Sequence, residues 1–209
     1  MNALILVDIQ NDFVPGGALP VPGGDQIVPL VNKLQCCFDL IVATQDWHPA
    51  DHGSFAANHT NRKPGDWIDL HGLPQLLWPT HCVQGTTGAE FVPGLQRDRW
   101  DRVFVKGTNP QIDSYSGFYD NARRQATGLG DYLKQKGVDQ VFVAGLATDH
   151  CVKATALDAL QLGFKTYLIE DACRGVNVQP NDVQEAINAM KSAGVIIVQA
   201  SEVIESCRK

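Results

Sequence analysis

The sequence predicts an α/β fold, a doubly wound parallel sheet covered by helices on both faces. Two observations carry that expectation. Short apolar runs rich in β-branched residues recur at 4–7, 40–43, 103–105, 141–144, 165–169 and 195–198, without the polar alternation of a half-exposed strand, as strands buried on both faces require. Segments with helical apolar spacing fall between most of them, so strand and helix alternate along the chain. At 209 residues with no Pro/Gly/Ser linker, one domain over 1–209 is expected.

The first run, Leu4-Ile5-Leu6-Val7, stops at Asp8, and Asn11-Asp12 lead into the turn residues Pro15-Gly16-Gly17. A carboxylate at the end of a parallel strand is either a turn former or an acid/base group, because ligands of open α/β sheets collect at that edge. Ile27, Leu30, Val31 and Leu34 give residues 25–37 a helical spacing, and the second strand follows at 40–43. Next comes Thr44-Gln45-Asp46-Trp47-His48-Pro49-Ala50-Asp51-His52. In extended chain Asp46 and His48 point to one side, so a carboxylate and an imidazole can grip a metal together, with His52 and the distant His81 as further ligands. Mixed N/O donors of this kind suit zinc, iron or manganese better than calcium. A polar loop with scattered histidines is the alternative, and it is the reading given to His59 and His71.

Residues 53–94 are long, irregular and rich in Trp, Pro, His and Gly, as functional lids and binding loops are. Trp78 lies three residues before His81 and could wall a flat heteroaromatic ring or merely pack the loop down. Val103-Phe104-Val105 ends at Lys106, a solvent anchor or a site cation. A helix is expected over roughly 121–136, disturbed by Gly128 and Gly130. The run 141–144 stops at Gly145, and Thr148 and Asp149 are expected to cap a helix whose first turn carries Cys151. There the helix dipole and free N–H groups would lower the thiol pKa and could stabilise an oxyanion, although a buried structural cysteine also fits. A strand over 165–169, a helix over 179–192 and a strand over 195–198 complete the reading. Right-handed crossovers bring Asp8, Asp46, Lys106 and Cys151 to one carboxyl edge.

A net charge of −6 and a pI near 5.4 argue against a nucleic-acid surface or a polybasic membrane patch. The opening run has no basic leader and is too short to span a membrane, so a cytoplasmic protein with six mostly reduced cysteines is expected. There is no CxxC pair for a structural zinc site.

The stretches ALILVDIQNDFVPGGALPV, TQDWHPADHGSF, WPTHCVQGTTGAEF, FVKGT, YSGF and VFVAGLATDHCVKATALDA resemble the nicotinamidase/pyrazinamidase group of the isochorismatase-like cysteine hydrolases. The resemblance implies a three-layer fold with six parallel strands flanked by helices. It implies a metal-dependent amidohydrolase converting nicotinamide to nicotinic acid and ammonia through a thioester on Cys151, in NAD salvage, with pyrazinamide as a further substrate. By the same carry-over, Asp8, Lys106 and Cys151 form the triad. The N–H groups of Ala147 and Cys151 form the oxyanion hole, beside a cis peptide in Gly145-Leu146-Ala147. Phe13, Trp78, Leu146 and Tyr115 line the substrate, and Asp46, His48 and His81, with His52 in some members, hold one divalent ion. The partner expected is the small-molecule substrate; a homo-oligomer is allowed. Isochorismatases and N-carbamoyl amidohydrolases share the triad but, by resemblance, lack the combined metal set. A non-catalytic metal-binding module or a thiol redox sensor is the reading from another class.

Overall fold

The structure, a computed structural model, describes residues 1–207. Eight strands and five α-helices follow in chain order: β1 (Asn2–Val7), α1 (Val28–Leu34), β2 (Leu40–Asp46), β3 (Trp67–Leu70), β4 (Leu73–Leu76), β5 (Arg102–Lys106), α2 (Leu129–Gln135), β6 (Gln140–Leu146), α3 (Lys153–Gln161), β7 (Lys165–Arg174), α4 (Asp182–Ala193), β8 (Ile196–Val198) and α5 (Ala200–Cys207). Six of the strands make one sheet in the order β5-β2-β1-β6-β7-β8, with every neighbouring pair parallel. The chain therefore winds outward from β1 through β2 to β5, returns to β6, and winds outward again. The switch point lies between β1 and β6, where an open α/β sheet leaves a crevice at its carboxyl edge.

Side-chain alternation divides the core into two layers. Leu4 and Leu6 of β1 face α1 and α5, whereas Ala3, Ile5 and Val7 face α2, α3 and α4. Both layers are closed, which is why the strands read as continuous apolar runs. At the switch point β1 and β6 come close enough that a Cβ on Gly145, whose φ is +129°, would sit 2.2 Å from the Val7 carbonyl oxygen. Only glycine allows that approach.

The expected sheet is present, and the helical segments need four corrections. Residues 25–37 form α1 flanked by 3-10 turns at Gly24–Ile27 and Gln35–Cys37. The helix expected from 121 begins only at Leu129: the Asp120 carboxylate accepts the N–H groups of Ala122, Arg124 and Gln125, a local closure that competes with helix. In place of α-helix, a π-helical turn spans Thr148–Val152, and Asp149 does not cap it. Its carboxylate instead accepts the N–H groups of Val176 and Asn177 at 3.0 and 2.7 Å. The helix expected over 179–192 starts at Asp182.

Two elements were not anticipated. Within 53–94, β3 and β4 form an antiparallel hairpin turned by His71 and Gly72, both at positive φ. The helix α5 packs on α1 and β7.

Candidate active site

Asp8 leaves β1 at φ +48° with its side chain fully buried. Thr44, at the equivalent height on β2, donates its hydroxyl to Asp8 Oδ1 at 2.6 Å. Lys106 ends β5 and runs its whole side chain beneath the sheet edge, 2% exposed. Its Nζ lies 2.9 Å from Asp8 Oδ2, 2.9 Å from Asp46 Oδ1, 2.9 Å from the Ser114 carbonyl and 3.4 Å from Cys151 Sγ. One ammonium thus joins two carboxylates and the thiol. Four residues that follow four strands meet at the switch point, as the crossover rule requires.

The electrostatics follow from burial of these charges together. Burial alone would lower Lys106, but Asp46 and Asp8 overcome it and hold the ammonium well above its ordinary pKa. Burial raises Asp8 more than Lys106 and the Thr44 hydrogen bond lower it, so its carboxyl is a better proton acceptor than a surface aspartate. The expectation for Cys151 is corrected. Burial, followed by the Asp8 and Asp46 charges, outweighs Lys106 and pushes the thiol well above its usual value. Cys151 therefore rests as a thiol, with the Lys106 ammonium 3.4 Å from its sulfur. In the turn that carries it, the N–H groups of His150 and Val152 both go to the Ala147 carbonyl at 3.1 Å, and neither bond uses the N–H of Cys151. The Leu146–Ala147 peptide is cis.

Beyond the end of β2 the rings of His48, His52 and His81 cluster. His48 Nδ1 meets the Gly107 carbonyl at 2.9 Å and His81 Nδ1 the Pro79 carbonyl at 2.7 Å. Carbonyl oxygens only accept, so each Nδ1 carries a hydrogen and donates it, which leaves Nε2 as the ring nitrogen turned toward Asp46. Those two Nε2 atoms approach Asp46 Oδ2 at 3.0 and 3.5 Å. Two imidazole nitrogens and a carboxylate oxygen, all buried, make a donor set suited to a borderline divalent ion. His52 joins a second, overlapping group with His48 and Asp113, and its Nε2 is buried without a hydrogen-bond partner. Burial, then the neighbouring His48, lower His52 to about 4, which keeps it neutral.

Supports hold the set in place. Gln10, fully buried, donates to the Asp46 carbonyl at 2.8 Å and accepts the Asp46 N–H at 2.8 Å. Gly107 has φ +67°, and a Cβ there would fall 2.4 Å from His48 Cε1 and 3.1 Å from Asp46 Oδ1. Gly107→Ala is expected to displace both groups and weaken divalent-ion binding at least about tenfold; titration of the metal-free protein with zinc or cobalt measures it.

Beside the thiol lies a small cavity. Phe13, Trp78, Tyr115, Ala147 and Cys151 line it, together with Asp46 and His81. Trp78 Nε1 donates to the Tyr115 hydroxyl at 3.2 Å, fixing both rings. Leu146 does not line it: the side chain is fully buried in the α1 layer, packed toward Gly24, and only the next residue reaches the cavity. His59 bonds the Gly53 carbonyl and His71 sits in the hairpin turn, so both lie outside the cluster. Cys36, Cys82, Cys151, Cys173 and Cys207 are free thiols.

Several lining or supporting residues were not singled out in the sequence: His150, Asp113, Val176, Gln10 and Gln75. Gln10 repeats the period of two from Asp8, and His150 adjoins Cys151; those were the available signals. Gln75 donates to Asp113 Oδ2 at 3.0 Å from a hairpin that the sequence did not reveal.

The isochorismatase domain family matches residues 2–202. A nicotinamidase of Escherichia coli is 52% identical over 200 residues, covering 94% of this chain and 93% of the relative. The structure of a nicotinamidase/pyrazinamidase of Acinetobacter baumanii superposes with a TM-score of 0.94 at 46% identity, covering 97% of each chain. A pyrazinamidase of Pyrococcus horikoshii in complex with zinc superposes with a TM-score of 0.77 at 45% identity, covering 95% of this chain and 98% of the other.

Proposed function

The chain belongs to the isochorismatase family, and on that footing we propose that it is a nicotinamidase, hydrolysing nicotinamide to nicotinate and ammonia with Cys151 as nucleophile. The observation that carries the reading is the contact of one buried ammonium, that of Lys106, with Asp8, Asp46 and Cys151, which supports a thiol, its base and a metal-ligand carboxylate acting together, with Cys151 and Asp46 both lining one cavity.

The aromatic walls of Phe13 and Trp78 hold the ring flat, so that the carboxamide carbon meets Cys151 Sγ. Asp8 takes the thiol proton as the sulfur attacks, and Lys106 offsets the negative charge that moves between them. The N–H groups of Ala147 and Cys151 receive the oxyanion. As the tetrahedral intermediate collapses, Asp8 returns its proton to the leaving nitrogen, ammonia departs and a thioester remains. Water, losing a proton to Asp8, adds to the thioester carbonyl; the C–S bond breaks, Asp8 returns that proton to the departing sulfur, and the acid leaves as nicotinate with its proton passing to ammonia or solvent.

Asp46, His48 and His81 would hold a divalent cation, with His52 adjoining, and zinc, iron and manganese all suit these donors. When bound, the cation supplies a fixed positive centre for a ring-nitrogen lone pair. Pyrazinamide, which keeps the ring nitrogen and the carboxamide, is a second substrate. Among the described residues no helix is long and apolar enough to cross a membrane. The location proposed is the cytoplasm, where nicotinamide released from NAD would be reclaimed.

The test pairs ammonia release from nicotinamide with metal analysis of the purified protein. One divalent ion per chain is expected, and Asp46→Ala should lose both the ion and at least about 99% of activity, since ring orientation is worth several kcal/mol. Full turnover by ion-free protein would refute the metal assignment.

A further inference from the structure

His150 is a titratable residue of the cavity wall that neither the triad nor the metal set uses. Its ring stands edge-on to Trp78, with centroids 4.9 Å apart, and lies 5.8 Å from Tyr115. Tyr115 and His150 line both this cavity and a separate outer groove, which Lys153, Asp182 and Glu185 also line. These two rings are therefore the partition between the two spaces. They are not held alike. The Tyr115 hydroxyl accepts from Trp78 Nε1 and from Gln75 Nε2, at 3.2 and 3.4 Å, whereas His150 Nε2 is buried with no hydrogen-bond partner.

We infer that His150 is the specificity-determining residue that confines this enzyme to small, unsubstituted rings. It rests on the reading above and names the substrate class within it. The imidazole closes the cavity toward the outer groove, so a substituent on the pyridine ring directed that way meets His150. Removing the imidazole joins the cavity to the groove and opens a path lined by polar and charged side chains. Rejection by a wall is a steric discrimination, and such discriminations are worth on the order of 10–200-fold per misfitting group.

The experiment compares kcat/KM for nicotinamide with that for a series of 2-, 4-, 5- and 6-substituted nicotinamides carrying methyl, chloro or hydroxymethyl groups, in wild type, His150→Ala and His150→Phe. In wild type the substituted amides are expected to be poor. In His150→Ala the ratio of substituted to unsubstituted kcat/KM should rise at least about tenfold for one ring position, mainly through KM. His150→Phe, which restores a planar wall without the nitrogens, should return the ratio toward the wild-type value. If His150→Ala leaves every ratio unchanged, or if His150→Phe raises it as alanine does, the partition does not set specificity. Nicotinamide is the internal control: wild type that fails to release ammonia from it overturns the function, whereas turnover with unchanged ratios overturns only the role of His150. Should the alanine variant fold poorly, His150→Ser serves in the same comparison.

Discussion

Cys151→Ala is expected to abolish ammonia release, lowering kcat by at least about 10⁴-fold while leaving the metal content at the wild-type level. The size of the loss follows from where the sulfur sits. No other described cysteine lines the cavity: Cys82 is buried in the α1 layer and Cys173 within the opposite layer. Cys151→Ser should fare little better, because Asp8 is matched to a thiol and a hydroxyl gives up its proton far less readily. In wild type quenched in acid during turnover, intact-mass measurement should find an acyl group on the protein, and Cys151→Ala should show none. Substantial ammonia release by the alanine variant would mean direct hydrolysis and would end the thioester scheme. The resting thiol, held above its ordinary pKa, also predicts the pH dependence. Asp8 must be ionised to accept the proton, and its own pKa is raised above the ordinary carboxylate value. The acid limb of kcat/KM should therefore lie above that of an ordinary aspartate, with rate lost as pH falls through it.

The positions of Asp8, Asp46, Lys106 and Cys151 were legible because each follows an apolar run, and parallel strands deliver their carboxyl ends to one edge. The six-stranded sheet was legible for the same reason. What the sequence could not supply was the sign of the Cys151 shift. A helix N-terminus lowers a thiol pKa, but the turn is π-helical, and burial with two nearby carboxylates outweighs the Lys106 ammonium. The hairpin of β3 and β4 stayed hidden because Pro74 sits inside one strand and His71-Gly72 replaces the usual Asn-Gly turn. The helix expected from 121 reflected apolar spacing alone, which carries no record of the Asp120 carboxylate capturing three backbone N–H groups. Leu146 was placed beside the substrate through its neighbours in a motif, yet alternation along β6 turns it into the opposite layer.

Lys106→Met is expected to destabilise the metal-free protein by about 3–5 kcal/mol, the cost of leaving buried charge without its partner. For a chain of this size that corresponds to a fall in Tm on the order of 10 °C. The methionine fills the space of the alkyl stem, so the loss comes from Asp8, Asp46 and the Ser114 carbonyl, each of which has Nζ within 2.9 Å. Lys106→Arg is not conservative here, since a planar fork cannot meet three acceptors that converge on one point. Asp8→Asn combined with Lys106→Met removes one of the stranded charges, and the double variant should be more stable than Lys106→Met alone. A saturating divalent ion should also recover part of the loss, because it neutralises Asp46 and binds only the folded chain. Thermal unfolding of the four proteins, with chelator and with excess zinc, separates these contributions. A wild-type Tm for Lys106→Met under chelator would show that the ammonium is not what allows two carboxylates to be buried side by side. The thiol, its base and the metal ligands would then lack the shared counter-ion on which their common site depends.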